Sequence, residues 1–264
     1  MRVLKESTGM AEVAVKQTAS TMRSLERAFG ILAILRERRV PLRLSDIARE
    51  SGLHLATTQR ILNVLVDHGY VTQEGQGYSM GITSFLNSYT FLVTNSLSQI
   101  ALPIMQELSS ESDWTSSLSV RVDLSQVMIS RVEGRLALRY RLPIGEPMAL
   151  HLGGARVLAA ALKPDELKRL LDALPEIRLA SGEVITRREF IDSLHVIREQ
   201  GYVAGSNQRE MGAASVAVPV FGHDDEIVAS LQISFLIEEL EQRKVDWTIV
   251  ELKRASLAIT KRIP

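Results

Sequence analysis

The stretch with the most specific chemistry is Leu55–His68, LATTQRILNVLVDH. Ile61, Leu62 and Leu65 recur at helical spacing and mark a buried side, while Thr57, Gln59, Arg60 and Asn63 fall on the opposite one. A guanidinium and two carboxamides so arranged match the donor and acceptor edges of bases in a major groove, and hydroxyls reach phosphate oxygens. Thr58 joins this DNA-contact set although it runs in phase with the apolar residues. Upstream, Arg43 and Ser45 open another short helix, whose first amides can hold a backbone phosphate. Downstream, Gln76 stands at the tip of a Gly75-Gln76-Gly77 turn. The competing reading is a plain three-helix bundle with a solvated polar face.

Three helices and a hairpin must position these groups. From Ser24, the residues Leu25, Ala28, Phe29, Leu32 and Leu35 form one apolar stripe, and Pro41 closes that helix. Ser45 fits an N-cap for a helix reaching about Ser51, with Ile47 and Ala48 inward. Gly52, four residues after Ala48, supplies the tight turn, and Gly69 fits the end of the third helix. The alternating YVTQEGQGYSM reads as a β-hairpin, placed as a wing beside the groove. Residues 1–80 hold 11 Lys and Arg against 8 Asp and Glu, although the whole chain is neutral. A basic head on an acidic body points to DNA contact by the head alone.

A second group of residues has the makings of a small-molecule pocket. Gly153 and Gly154, followed by Ala155, open a helix whose free amides can cradle a carboxylate or carbonyl oxygen. In IVASLQISF, alternation puts Val228, Ser230, Gln232 and Ser234 on one face, and in SVAVPVF, Ser215 and Ala217 share a face. Small residues there leave volume, and hydroxyls and an amide orient a ligand; the alternative is a polar face that simply meets water. Trp114, Tyr140, Met148 and Leu152 are candidates for an apolar wall. No catalytic set is found. The five histidines lack a G-x-S-x-G elbow or an H-E-x-x-H spacing, and His223-Asp224-Asp225-Glu226 reads as a solvated turn. No metal site and no cofactor are expected.

Composition bounds the rest. The chain has 264 residues, 45% hydrophobic and 23% charged, enough for two folded domains, and no cysteine, which excludes disulfides and thiolate chemistry. No run approaches the roughly 18 apolar residues of a membrane span, and no signal-peptide core follows Met1; a cytoplasmic protein with no membrane partner is expected. The expected organisation is a flexible tail at 1–20, a winged helix-turn-helix at 21–82, a linker helix at 83–96 and a body at 97–264. In the body, a helix over Leu97–Ser112 carries Pro103 in its first turns. WTSSLSVRV, QVMISRV and LALRYRL read as strands, and 154–162 and 164–174 as helices. Thr186 and Glu189 form a capping box for a helix ending at Gly201, SVAVPVF and IVASLQISF are further strands, and a last helix covers about Glu238–Lys261. The fold class is two-domain α+β, the body an antiparallel sheet flanked by helices.

SLERAFGILAILRE, LSDIARESGL, TTQRILNVLVDHGYV and YSMG resemble the winged helix-turn-helix of IclR-family transcriptional regulators. The resemblance continues through LPIGEPMALHLGGARVLAA, IREQGYVAG, REMGAASVAVPVF and IVASLQISF, and so covers nearly the whole chain from about Ser24. It implies a DNA-binding head, a linker helix, and a GAF-like body that binds a small-molecule effector. It also implies operator DNA as partner, assembly as a homodimer or dimer of dimers, and most often repression. The segment around Gly153 and Gly154 corresponds to the family's effector-binding amides. Ser215 stands where the family often has cysteine, Ser234 matches one of two strand serines, Gln232 replaces the other, and Gly205 occupies a position that is frequently acidic. With these departures the usual small oxo acids do not follow from the resemblance, and the effector is expected to be a small carboxylate, an aldehyde or an aromatic acid.

Overall fold

The computed structural model describes residues 22–136, 142–239 and 242–263, and the chain divides into two compact units between Val93 and Thr94. The tail at 1–20 and most of the LALRYRL segment, including Tyr140, lie outside the described residues.

The first unit begins with α1 (22–38). There follow β1 (Leu42–Arg43), α2 (Leu44–Ser51), α3 (Leu55–Asp67), β2 (Val71–Glu74), β3 (Gly77–Met80) and α4 (Ile82–Thr94). Ile31, Leu35, Ile47, Leu62, Leu65, Val71 and Tyr78 form its core. The turn between α2 and α3 follows from Gly52, whose φ of 66° suits glycine, and from the Leu53 N–H donating to Ala48 O at 3.1 Å. Arg43, not Ser45, occupies the N-cap of α2, and Ser45 lies inside the first turn. The polar group expected to cap is absent because the extended backbone of β1 runs directly into the helix. A bidentate Arg38–Glu50 pair, at 3.0 and 2.8 Å, ties α1 to α2.

The stripe read on α1 is half right. Leu35 is buried, with Ala28 and Leu32 packed against the core, but Leu25 and Phe29 face outward and Ile31 takes the inward place. α4 is more extreme: none of its residues is buried, and Phe85, Leu86, Tyr89 and Phe91 are all exposed. Its first two turns are docked, with Thr83 Oγ1 donating to His68 O and Asn87 Nδ2 to Tyr70 Oη, both at 3.0 Å.

In the second unit, α5 (Ser96–Ser112) is capped by Asn95, whose side chain accepts from Ser98 N at 2.9 Å. Pro103 lies in its interior rather than in the first turns. Six antiparallel strands follow in the order β6-β5-β4-β11-β10-β9. They are β4 (Thr115–Val122), β5 (Ser125–Val132), β6 (Pro147–Ala149), β9 (Val203–Ser206), β10 (Ala213–Phe221) and β11 (Ile227–Leu236). Between β6 and β9 lie a 3-10 turn (Gly153–Ala155), α6 (Arg156–Ala159), α7 (Pro164–Ala173), the small hairpin β7 (Ile177–Arg178) and β8 (Val184–Ile185), and α8 (Arg187–Gln200). The expected capping box starts α8: the Glu189 N–H donates to Thr186 Oγ1 and the Thr186 N–H to Glu189 Oε2. The last helix, α9, spans Gln242–Thr260, later than read, because Ile237–Glu239 form a separate 3-10 turn.

Alternation on β11 organises this unit. Leu231, Ile233 and Phe235 pack with Val216, Val218, Met105, Leu108, Leu252 and Ile259 in one apolar cluster. Trp114 belongs to the same cluster, stacked on Phe235 with ring centroids 4.1 Å apart. A second cluster, built on α6, α7 and α8, includes Leu158, Leu170, Phe190 and Leu194. The intervening residues of β11, Ser230, Gln232 and Ser234, stand on the opposite side of the strand from the first cluster.

Candidate functional site

The residues read as base contacts lie on α3. Thr58 has no exposed surface, and its hydroxyl donates to His54 O at 3.2 Å. It holds the first turn of the helix and cannot reach a base, a correction that its phase with Ile61 and Leu62 already contained. Arg60 and Asn63 are exposed, and Thr57 and Gln59 half-buried. Gln59 Nε2 donates to Asn63 Oδ1 at 2.7 Å and to the Tyr78 hydroxyl at 3.0 Å. Tyr78 is buried on β3, so this bond fixes the polar face of α3 against the wing. Arg60 has no hydrogen-bond or ion-pair partner among the described residues, which leaves its guanidinium available to a ligand. Arg43 pairs with Gly77 across the β1–β3 ladder, and Gln76 precedes Gly77. Thus Arg43 and Gln76, both exposed, are brought together at the wing turn, while Ser45 stands exposed in the first turn of α2.

In the second unit, register assembles a polar floor. Gly205 pairs with Ser215, Ser215 with Ser234, and Ser234 with Thr115. One step along the strands, Ala217 pairs with Gln232, Gln232 with Ser117, and Ser117 with Arg131. A partly open cleft of about 60 Å³ sits on these rows. It is lined by Gly153, Gly154, Gly205, Ser215, Gln232 and Ser234 among the residues read from the sequence. Thr115, Ser117, Met128, Arg131, Leu142, Gln208, Arg209, Glu210, Ala213 and Ala214 complete the lining. That volume is several times the roughly 10–15 Å³ needed by one water on the same measure, which fits a compact organic molecule. The lining carries the guanidiniums of Arg131 and Arg209 and the carboxylate of Glu210, and Arg131 also lies 3.7 Å from Glu133.

Among the described residues, the apolar lining comes from Met128 and Leu142 and not from the residues expected. Trp114 is core, for its ring stacks on Phe235 beneath the sheet. Met148 lies on β6 opposite Gln126, and neither it nor Leu152 lines the cleft. Ala155 is fully buried in the cluster under α6. The glycine pair also differs from the expected cradle. α6 has only four residues, too few for a substantial helix dipole, and the Gly153 N–H already donates to Gln208 Oε1 at 3.0 Å. Gly154 is required for close packing: a Cβ there would meet Gln232 Oε1 at 2.0 Å and the Ala217 Cβ at 2.8 Å. Ser230 Oγ donates to Gly154 O at 3.1 Å and pins this segment to the sheet.

The β9–β10 loop forms one rim. Asn207 Oδ1 accepts from Gly212 N at 2.7 Å, closing the loop on itself. Arg209 Nη2 donates to Ala149 O at 2.8 Å and to Leu152 O at 3.0 Å, holding the segment before Gly153. Beside it, burial and then the charge of Arg209 depress the pKa of His151 below the usual imidazole value of 6.5. Folding therefore favours neutral His151, so its contribution is full above pH 6.5 and is lost as the pH falls through the lowered value. His151→Asn is expected to shrink the fall in urea midpoint between pH 7.5 and pH 5.5. An undiminished fall would assign acid sensitivity to other groups.

Sequence reasoning missed Tyr78 and most of the rim. Tyr78 and the Thr115–Ser117 pair lay within reach of strand alternation. Gln208 and Arg209 sit on an irregular loop, where no periodicity signals which side chain turns inward.

A winged helix-turn-helix followed by a sheet-and-helix unit with a small cleft defines a two-domain α+β DNA-binding regulator. A family model for the bacterial transcriptional regulator IclR C-terminal domain matches residues 90–261, and one for the IclR helix-turn-helix domain matches residues 24–75. The chain belongs to the IclR family of transcriptional regulators. It is 29% identical over 245 residues to the HTH-type transcriptional regulator XynR of Escherichia coli K12, covering 92% of this chain and 97% of that one. With the transcriptional repressor IclR of the same strain it shares 25% identity over 238 residues, 88% and 87% of the two chains. The crystal structure of an IclR transcriptional regulator from Alicyclobacillus acidocaldarius superposes with a TM-score of 0.77 at 20% identity, over 92% of this chain and 99% of the other. An IclR homologue from Microbacterium hydrocarbonoxydans, complexed with 4-hydroxybenzoate, gives 0.75 at 20% identity, over 91% and 98%. The relatives are named as regulators, and this chain is a DNA-binding transcriptional regulator rather than an enzyme. Among the described residues, no helix is long and apolar enough to cross a membrane.

Proposed function

We propose that the protein is a repressor of catabolic genes that releases its operator when a small organic acid occupies the cleft on the polar floor. The observation that carries this reading is a cleft lined by hydroxyls, carboxamides and two guanidiniums, in the same chain as a groove-reading head. In this reading the head spans 21–82, with 83–96 as linker helix and 97–264 as effector domain. Arg60, Thr57, Gln59 and Asn63 enter the major groove, while Arg43, Ser45 and Gln76 hold the backbone. The 4-hydroxybenzoate complex of a structural neighbour and the repressor names of relatives support the choice of acid and sign.

The protein works as a homodimer or dimer of dimers in the cytoplasm, on double-stranded DNA. The apolar residues that α4 and α1 leave exposed, Phe85, Tyr89, Leu25 and Phe29 among them, support pairing of two copies. The acid must bind the DNA-free arrangement more tightly than the DNA-bound one, since equal affinity would shift nothing. The test is a mobility-shift titration on DNA flanking the gene at several salt concentrations, with and without small acids. Affinity is expected to fall steeply with salt, as phosphate contacts release counterions, and to fall further with the effector. A flat salt response would remove the groove-docked head, and indifference to every small molecule would remove the sensor in favour of a ligand-independent architectural regulator.

A further inference from the structure

We propose that Gln208 sets which ligands the cleft accepts, by presenting a fixed N–H donor to a ligand carboxylate. The assignment rests on the ligand-sensing reading above. A backbone N–H can only donate, so the Gln208 atom 3.0 Å from Gly153 N must be the carbonyl oxygen. With its oxygen held there, the carboxamide has one orientation, and its NH2 is fixed as well. Nε2 lies against Gly205: a Cβ at that position would come within 2.3 Å of it. A side chain there would push the Gln208 carboxamide out of this position, so Gly205 leaves room for the observed placement. Nε2 has no hydrogen-bond partner among the described residues, and both residues line the cleft.

The surroundings make the donor rigid and its preference one-sided. Asn207, next in the chain, has φ of 53° and donates its N–H to Ala213 O at 2.8 Å, which holds the loop closed. The ordering cost of the Gln208 side chain is therefore met before any ligand arrives. Gly205 leads across the sheet to the hydroxyls of Ser215 and Ser234, which can donate toward the same space. A ligand group that only accepts, above all a carboxylate, satisfies this set, and a charge-assisted bond to it is stronger than a neutral one.

The experiment measures binding to the full-length protein by calorimetry and thermal shift. The probes are acetate, pyruvate, benzoate and 4-hydroxybenzoate, with acetamide and benzamide as neutral counterparts. Gln208→Glu keeps an oxygen for Gly153 N but replaces the donor by a negative charge. An acid that binds the wild type is expected to bind Gln208→Glu about 30-fold more weakly, with the neutral amides much less affected. Gln208→Ala, which carries no charge, is expected to lose about tenfold for the same acid, and it serves if the glutamate variant does not fold. Equal acid affinity in wild type and either folded variant overturns the assignment. Release of DNA by neutral compounds but by no acid also overturns it, while leaving the sensing function standing. Silence toward every probe overturns both.

Discussion

Arg60→Ala is expected to abolish sequence-specific DNA binding and to leave circular dichroism, oligomeric state and thermal midpoint at wild-type values. The separation follows from the environment of the guanidinium. It is exposed and has no partner among the described residues, so removing it leaves no buried group unpaired and no cavity. On DNA, a bidentate arginine–guanine contact contributes about 1–3 kcal/mol. A two-fold operator engages two copies, so affinity for it is expected to drop at least about 30-fold. The measurement is a mobility-shift titration against specific and scrambled DNA at one salt concentration. Parallel loss on both sequences would make Arg60 a phosphate contact, and unchanged affinity would remove it from the interface. Gln59→Ala is a contrasting case, because it also cuts the bonds to Asn63 and Tyr78 and is expected to lower stability together with affinity.

Gly81→Ala is expected to destabilise the head by about 3 kcal/mol and to abolish DNA binding through misfolding. Gly81 joins β3 to α4, and its N–H donates to Tyr70 O at 2.7 Å. A Cβ there would lie 2.2 Å from Gly69 O and 2.9 Å from its carbonyl carbon. Those are backbone atoms, and they cannot swing aside as a side chain does. The same Gly69 carbonyl accepts from Thr83 N at 3.1 Å, so retreat would pull at the first turn of α4. Gly30→Ala is the internal control. It sits exposed within α1 with nothing within 4 Å of its Cβ position, and alanine there is expected to stabilise by about 0.5–1 kcal/mol. Thermal unfolding of the two variants should move in opposite directions. An unchanged midpoint for Gly81→Ala would mean that the junction between wing and helix yields easily.

The periods of 3.6 and 2 made most elements legible before any coordinates. α2, α3, the wing, α8 with its capping box, and strands β10 and β11 lie where apolar spacing, Gly52 and Gly201 put them. Two kinds of information were out of reach. Strand register was one: the SLS stretch around Ser117 reads as a half-polar strand, but only its pairing with Gln232 makes it a cleft floor. Long-range loop contacts were the other: Gln208 and Gly153 are 55 residues apart, and nothing local predicts their bond. Trp114 misled because size and aromaticity suit a pocket wall and a core equally well. Leu25 and Phe29 misled because an apolar stripe marks a face without saying how much of it the core covers.

The two-faced strand β11 has a mechanical consequence. Gln232 and Ser234 lie under the cleft, while Ile233 and Phe235, their immediate neighbours, are locked in a close-packed apolar layer. A displacement of the floor by even a fraction of an ångström would drive those side chains off their rotamers. The floor is thus an anvil, and work done by an arriving molecule must appear in the pieces that strike against it. Those pieces are the loop 207–212 and the segment 149–155, joined to each other by Gln208 and Arg209. Under the ligand-sensing proposal, a signal would leave the cleft through these two pieces, whose coupling rests on three hydrogen bonds from or to Gln208 and Arg209 among the described residues.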